Sequence, residues 1–443
     1  MRARLLRFLQ DVTDAFWVLP AIIVLALAGL AVAAVDIQLV GHLPGWLPSA
    51  WVYGGGDTGA RTLLGAIASS TIGVAGTLFS ITIAALTLAS NQMGPRLLRN
   101  FMRDRGNQLT LGVFLGTFGY SLIVLRSVRG GEDEAFVPAL GVTLGLVLAA
   151  VCVALLIYFI HHVANRINVD TVIDLVHDDV VADMERLTLV DPMPDVEDDI
   201  DWDKATKICL PHSGYLQQID AEALVDWAED HDCVITLLRR PGEFVYPYAP
   251  IGLISKPVED AEVAIWSRVA LSRQGGSPSD FTFPIAQLVE VAVRALSPGI
   301  NDPRTAVSVL NRLGAALAWL SPRHLDPGVR LKGDVVRLRI RPLGYDEVVG
   351  VMFDMIRQNA GTSPVVLTHL MTVLTAVASV EQKASRLVIL RRQAKIAADQ
   401  GQAQFINEID KRDLAEAHAT FLAQAACKGL RADEKAQAPQ NAG

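Results

Sequence analysis

Residues 16–35 read FWVLPAIIVLALAGLAVAAV and contain no charged side chain. A hydrocarbon core of about 30 Å is crossed by roughly 20 apolar residues of α-helix, so this stretch is long enough to span a bilayer. Three further apolar stretches follow at about 62–90, 109–125 and 137–161, and the rest of the chain has none of this length. The sequence therefore predicts a membrane protein with four transmembrane α-helices within residues 1–167, followed by a mixed α+β, mostly helical cytoplasmic domain.

The distribution of arginine indicates how these spans are oriented. Arginines precede the first span, crowd the loop between the second and third spans, and follow the fourth: Arg2, Arg4, Arg7, Arg96, Arg99, Arg103, Arg105 and Arg166. Because short cytoplasmic loops are rich in Lys and Arg, both termini are predicted to lie in the cytoplasm of a bacterial cell, with the spans in its inner membrane. A cleaved signal peptide is the alternative for the N-terminus, but the apolar run is long for one and three more spans follow.

The second span carries a face of small and hydroxyl-bearing residues. Steps of four and three place these residues on one side of a helix: Gly73, Thr77, Ser80, Ala84, Thr87 and Asn91. Such a face allows close packing with another helix, within the chain or in a homo-oligomer. The alternative interpretation is a face that lines a polar pathway for a small ion. No Asp, Glu, Lys or Arg lies within a predicted span, which disfavours a charge-coupled pump.

The loop after this face is basic, and the third span carries a glycine pair. The loop residues that we single out are Gln92, Pro95, Arg96, Arg99 and Arg103. Positive charge at a cytoplasmic channel mouth would favour anions, although orientation alone also accounts for a basic loop. In the third span, Gly112 and Gly116 are four residues apart, which predicts close contact with another helix.

The remaining composition excludes some classes of partner. The formal net charge is −8, so the soluble part is acidic, and nucleic-acid binding, which requires a basic patch, is not expected. The four cysteines, Cys152, Cys209, Cys233 and Cys427, lack metal-binding spacing and are predicted to be free thiols. A metal site at His161, His162 and His177 is disfavoured because adjacent residues point to different helix faces. No metal or other cofactor is predicted.

The chain beyond the spans is predicted to have four parts. These are a helix and linker at 168–205, a small α/β or barrel-like module at 206–256, a mainly helical domain at 257–431, and a disordered tail at 432–443. Within the module, Asp220 is predicted to cap a helix, and Ser213-Gly214-Tyr215 is predicted to form a turn. A further helix is predicted over about 259–271.

A corner between two helices is the most distinctive loop of the soluble part. Residues 297–305 read SPGINDPRT, which places Asp302 as the N-cap of a helix and Pro303 at its first position. A structural corner is one interpretation. The alternative is a site at which free backbone amides bind an anionic ligand, although the Asp302 carboxylate would occupy the same donors. The candidate ligand or structural residues are Arg294, Ser297, Asn301, Asp302, Arg304 and Thr305.

Several stretches together resemble a family of predicted bacterial inner-membrane proteins, domain of unknown function twenty-two fifty-four. The matching stretches are Phe79-Ser80, 89–98, Asn100-Phe101, Arg103-Asp104, 213–215 with Asp220, 241–245 and 295–306. The chain departs from the family around 273–283, where Gln274 follows Arg273 and Ser279 precedes Asp280 in place of Arg-Thr and Gln-Asp. The resemblance implies four spans and a cytoplasmic domain, and it implies no particular activity.

Two classes of function are compatible with these features. The first is an oligomeric channel or transport-related protein in the lipid bilayer, with a regulatory cytoplasmic domain. The second is a membrane-anchored sensor or scaffold whose cytoplasmic domain binds a ligand or partner. An enzyme comes third, since the sequence contains no nucleophile elbow, Walker loop, paired zinc ligands or Rossmann glycine pattern.

Overall fold

The computed structural model describes residues 16–39, 52–93, 104–130, 136–166, 168–193, 200–361 and 363–437. These residues divide into two compact units, one within Phe8–Asn168 and the other within Val169–Gly443. The first unit holds the candidate membrane spans, and the second is mostly helical with small β-sheets. The predicted fold class is confirmed.

Among the residues that the structure describes, four helices form the membrane unit: α1 (Val18–Leu39), α2 (Asp57–Met93), α3 (Arg105–Ser127) and α4 (Ala139–Arg166). All four are long and apolar enough to cross a bilayer, over Val18–Gln38, Asp57–Thr87, Arg105–Ser127 and Ala139–Val163. Helix α2 has 37 residues and is therefore about 55 Å long, well beyond the thickness of a hydrocarbon core. The predicted number and order of spans are confirmed.

Helix α3 packs closely against α1 through its glycines. A Cβ atom at Gly112 would lie 3.0 Å from the Pro20 Cα, and one at Gly116 would lie 2.6 Å from the Leu27 Cδ1. At Gly112 a Cβ would press on the Pro20 backbone, and at Gly116 it would have to displace the Leu27 methyl group. The close helix contact predicted from the glycine pair is confirmed, and its partner is the first span of the same chain.

Two apolar clusters hold the four helices together. The first contains Ala31, Val35, Ala60, Leu64, Tyr120, Val124, Val128 and Val142, and the second contains Ala75, Leu78, Phe114, Cys152, Phe159 and Val163. The buried Tyr120 hydroxyl donates a hydrogen bond to the Gly141 carbonyl at 2.8 Å, which ties α3 to α4. This bond satisfies a polar group that would be costly to leave unpaired inside a membrane domain.

The second unit begins with helix α5 (Val169–Leu187), which buries one apolar face. Its buried residues recur at helical spacing: Val172, Ile173, Val176, Val180 and Met184. The face packs against two later helices, α8 (Thr282–Ala295) and α9 (Pro303–Leu320). The helix predicted at 168–186 is therefore confirmed, and it is part of the core of the second unit.

In the described part of the second unit, ten short strands form two sheets and one two-stranded ladder. The strands are β1 (Thr188–Leu189), β2 (Thr206–Cys209), β3 (Gly214–Ile219), β4 (Ile235–Leu237), β5 (Phe244–Val245), β6 (Pro250–Ile254), β7 (Val269–Ser272), β8 (His324–Leu325), β9 (Val329–Lys332) and β10 (Val335–Ile340). The sheet orders are β2-β6-β4-β10-β9 and β5-β3-β7, and β1 pairs with β8. Strands from 206–256 thus share their sheets with β7, β9 and β10, which come from the region beyond.

Two local predictions in this region are wrong. Residues Gly214 and Tyr215, expected in a turn, begin strand β3 and pair with Val245 and Phe244. The helix expected over 259–271 ends early: α7 spans Ala261–Arg268, and Val269 starts strand β7. In both cases pairing with a distant strand overrides the local preference.

Five more α-helices are described in the second unit. They are α6 (Ala221–Asp230), α10 (Tyr345–Ala360), α11 (Pro364–Val380), α12 (Ala384–Gln404) and α13 (Glu408–Gln437). Helix α6 is capped by Asp220, whose carboxylate accepts from the Ala223 amide at 3.2 Å, as predicted. Of the expected disordered tail, residues 432–437 belong to α13 and 438–443 lie outside the described residues.

Candidate functional sites

The polar face predicted on the second span lies on the outer side of α2. Gly73, Thr77, Ser80, Ala84 and Thr87 are all exposed. The buried residues of the same stretch lie on the opposite side of the helix: Ala68, Thr71, Ala75 and Leu78. The structure therefore brings the five residues together on one face, and this face is turned away from the rest of the four-helix unit.

The hydroxyl groups of this face bond to their own helix. Thr77, Ser80 and Thr87 donate to the carbonyl oxygens of Gly73, Gly76 and Ile83 at 3.2, 2.9 and 2.9 Å. A Cβ at Gly73 or Gly76 would meet nothing within 4 Å. The surface is consequently smooth, weakly polar and open to a partner.

The residues that continue this face are described only in part. Asn91 and Gln92 belong to the backbone of α2, and their side chains are not described. Pro95, Arg96, Arg99 and Arg103 lie outside the described residues. Their assignment to a cytoplasmic loop stays a prediction.

Sequence reasoning missed a second polar region, which lies inside the membrane unit on α3. Asn107, Thr110, Thr117 and Ser121 are buried, and their spacing of three, seven and four places them on one side of the helix. Among the residues that the structure describes, Asn107 Oδ1 and Ser121 Oγ have no hydrogen-bond partner. The spacing of these polar residues is visible in the sequence, but the glycine pair of the same helix indicated helix packing instead.

A buried carboxylate lies at the N-terminus of α3. Asp104 caps the helix by accepting from the Gly106 amide at 2.8 Å, and its other oxygen lies 2.7 Å from His162 Nε2 on α4. The Tyr158 ring stacks on His162. A Cβ at Gly106 would come within 2.9 Å of both His162 Nε2 and the Tyr158 hydroxyl, so a larger residue there would have to displace the ends of these two side chains.

The corner at 297–305 has the capping geometry that its sequence predicts. Asp302 accepts from the amides of Arg304 and Thr305 at 3.1 and 3.3 Å and from the Thr305 hydroxyl at 2.6 Å. The Thr305 hydroxyl, more than any other group, lowers the pKa of the Asp302 carboxyl. Ser297 donates to the Arg294 carbonyl at 2.6 Å, and Asn301 adopts a left-handed backbone with φ of 50°. Because Asp302 already occupies these helix amides, the geometry favours a structural corner over an anion site.

The second unit contains a cavity of about 240 Å³ that sequence reasoning did not find. Its walls combine apolar residues from α5, β3 and β10 with charged residues from β9 and several loops. The lining includes Leu187, Ile219, Arg240, Asp280, Phe281, Asp326, Arg330, Ile340 and Arg341. No sequence spacing could reveal this site, since its members come from six segments between 187 and 343.

Most of the charged groups of the cavity form ion pairs. Arg330 bonds both carboxylate oxygens of Asp326, at 3.1 and 2.6 Å. Arg240 donates to Glu347 at 2.6 Å, and Arg341 pairs with both Glu243 and Glu347. The arginines are therefore oriented and neutralised by carboxylates of the protein itself.

Asp280 differs from the other carboxylates of the cavity. Its Oδ1 accepts from the Thr282 amide and hydroxyl at 2.9 and 2.5 Å. Within the described parts of the chain it forms no ion pair with a lysine or arginine. Burial raises the pKa of the Asp280 carboxyl, and the Thr282 hydrogen bonds and the nearby Arg240 charge offset this only in part.

Other features bear on cofactors and redox chemistry. In the part of the chain that the structure describes, no three or more His, Cys, Asp and Glu side chains are arranged to hold a metal ion. The cysteines at 152, 209, 233 and 427 are free thiols, as predicted.

Comparison with known proteins places the chain in a family. A family model described as "Predicted membrane protein (DUF2254)" matches residues 13–376. Uncharacterized proteins of Mycobacterium tuberculosis (strain CDC 1551 / Oshkosh) and Mycobacterium bovis are each 32% identical to it over 429 residues, covering 93% of this chain and 80% of theirs. No solved structure matches. Like those two relatives, the chain belongs to the DUF2254 family of predicted membrane proteins.

Proposed function

We propose that this protein is an oligomeric channel or transport-related protein of a bacterial inner membrane, with a regulatory C-terminal domain in the cytoplasm. One observation carries the proposal: the small and hydroxyl-bearing face of α2 is directed away from its own four-helix unit. Gly73, Thr77, Ser80 and Thr87 are exposed on this face. In the bilayer, such a face must contact lipid, another subunit or an aqueous pathway.

The other outer surfaces of the membrane unit differ in character from this face. Helix α4 exposes large aliphatic residues, including Val153, Ile157 and Ile160, which are suited to contact with lipid chains. The face of α2 offers small residues instead, which let helix backbones approach closely. Helices that meet around a symmetry axis would place the hydroxyls and carbonyls of α2 along that axis, where they would form a weakly polar lining.

The charge of the adjoining loop suggests a preference among ions. Arg96, Arg99 and Arg103 follow α2 in the chain and, with cytoplasmic termini, would lie at the cytoplasmic mouth. Positive charge at a pore entrance attracts anions and repels cations. We therefore propose anions as the preferred ionic species.

Ion flux in proteoliposomes tests this proposal directly. We expect the wild-type protein to conduct small anions, and Ser80→Trp to block this flux because the indole fills a narrow lining. Ile157→Trp is the matched control, since Ile157 is 68% exposed on a lipid-suited surface of α4. The mass of the native assembly in detergent is measured for all three proteins. This measurement distinguishes loss of the oligomer from blockage of the ion pathway. Unchanged flux in a correctly inserted Ser80→Trp protein would show that this face lines no pathway.

A second candidate function is a membrane-anchored sensor or scaffold, and the cavity in the second unit favours it. The cavity is lined by Leu187, the last residue of α5, and only residues 167–168 separate α5 from α4 in the chain. A ligand in the cavity would contact the end of the helix that follows the last span in the chain. Ligand binding without any ion flux would favour the sensor over the channel.

A further inference from the structure

The cavity of about 240 Å³ has the size and the walls of a small-molecule site. A water molecule occupies about 30 Å³ of liquid, so the space corresponds to roughly eight waters. This is smaller than the roughly 300–1,000 Å³ of a drug-sized pocket. A compact ligand of only a few carbon atoms would fill it.

The charges around the cavity do not balance. Three arginines line the cavity, Arg240, Arg330 and Arg341, and four carboxylates accompany them: two also line the cavity, and two lie outside the lining and pair with Arg240 and Arg341. The carboxylates are Asp280, Asp326, Glu243 and Glu347. The group therefore carries one negative charge in excess, which favours a ligand with a single positive charge over an anion.

The pairing pattern locates this excess charge on one side chain. Asp326 is held by Arg330, and Glu243 and Glu347 are held by Arg240 and Arg341. Among the described residues, Asp280 alone of the four carboxylates has no such partner, and its Oδ2 accepts no hydrogen bond. Gly242 lies directly beneath this oxygen, and a Cβ at that position would collide with it. Gly242, with φ of +94°, therefore makes room for the Asp280 carboxylate, and Asp280 lines the cavity.

Apolar residues form another part of the cavity wall. Phe281, adjacent to Asp280 in the chain, is only 4% exposed, and Leu187, Ile219 and Ile340 also line the space. A ligand with one cationic head and an aliphatic body would match both kinds of surface. The head would form a charge-assisted hydrogen bond, which is stronger than a neutral one.

We propose that this cavity binds a small primary amine with a compact apolar body, whose ammonium group donates to Asp280 Oδ2. The inference rests on the ligand-binding role proposed above for the C-terminal domain, and it adds the chemical class of the ligand. The bound amine would contact Leu187 at the end of α5 and the strand residues Ile219 and Ile340. Its charge would neutralise the one cavity carboxylate that the protein leaves without an ion pair.

Calorimetric binding to the full-length protein in detergent tests this inference at pH 7. The probe is 3-methylbutylamine, which is protonated at this pH because aliphatic amines resemble the lysine side chain, with a pKa of about 10.4. Its matched probes are 3-methylbutanol, which is neutral, and 3-methylbutanoate, which is anionic. The protein variants are Asp280→Asn, which keeps the side-chain shape, and Asp334→Asn, which removes an exposed carboxylate elsewhere. Circular dichroism and gel filtration verify that both variants fold.

The expected result is saturable binding of the amine, with weaker binding of the alcohol and of the carboxylate. Asp280→Asn should weaken amine binding tenfold or more, as loss of a charge-assisted hydrogen bond implies, and Asp334→Asn should leave it unchanged. Equal or tighter binding of the alcohol or carboxylate would overturn the amine assignment while keeping a ligand site. Amine binding that Asp280→Asn does not weaken would overturn the role of Asp280. No binding of any of the three probes would overturn the inference and remove the support that the cavity gives to the sensor function.

Discussion

At the residue scale, the Asp302 carboxylate stabilises the start of one helix. It accepts from two amides and one hydroxyl at the start of α9. We expect Asp302→Ala to destabilise the second unit by about 1 kcal/mol, the usual effect of losing an N-cap. Asp302→Asn should destabilise the second unit by less than Asp302→Ala, because the asparagine side-chain oxygen still accepts from the helix amides. Thermal unfolding of the full-length protein, followed by tryptophan fluorescence, measures both variants.

The contribution of Asp302 should also depend on pH, with a defined sign. Its pKa is lowered in the folded protein, so the folded state favours the ionised form. The stabilisation is therefore complete above the ordinary aspartate pKa and is lost as the pH falls through the lowered folded value. The difference between wild type and Asp302→Ala should shrink in acid. An equal difference at neutral and acidic pH would contradict the capping role.

At the scale of elements, the contact between α1 and α3 depends on glycine. A Cβ at Gly112 would press on the backbone of Pro20, which cannot move aside as a flexible side chain can. We expect Gly112→Ala to destabilise the membrane unit by about 1–3 kcal/mol, the usual range for overpacking. Gly119→Ala is the matched control on the same helix, since its Cβ would meet nothing within 4 Å.

The control should behave in the opposite way. Alanine favours a helix by up to about 1 kcal/mol over glycine, so Gly119→Ala should be neutral or stabilising. Unfolding in mixed micelles with increasing denaturing detergent compares the two variants with wild type. If Gly112→Ala were as stable as Gly119→Ala, the helices would not be in contact at this point.

At the scale of the whole molecule, the proposed orientation places the C-terminal domain in the cytoplasm. Cys427 on α13 is an exposed thiol and serves as a natural probe of this domain. We expect a membrane-impermeant maleimide to label Cys427 in inverted membrane vesicles and not in intact spheroplasts, because the bilayer would separate reagent and thiol. Thr58→Cys, at the start of α2, should be labelled in spheroplasts. The reverse labelling pattern would show that the C-terminal domain lies on the opposite side of the membrane.

Features that depend on nearby residues were predictable from the sequence. Long apolar runs gave the four spans, since crossing a bilayer requires only length and hydrophobicity. The spacing of Val172, Val176 and Val180 gave α5, and the caps Asp220 and Asp302 gave two helix starts. The glycines of α3 indicated a close contact without naming its partner. In each case the signal spans only a few turns of chain.

Features that join distant segments needed the tertiary structure. Tyr215 belongs to a strand because Phe244 and Ser272 pair with it on either side, although its local sequence favours a turn. The cavity joins Leu187, Arg240 and Asp280 across long stretches of chain.

The outer position of Ser80 likewise depended on which side of α2 the other spans cover. The sequence by itself determined the membrane class, the spans and the helix caps, because burial in lipid and backbone capping act locally. Only the tertiary structure decided the sheets, the cavity and the direction of the polar faces, because these arise from packing between residues far apart in the chain.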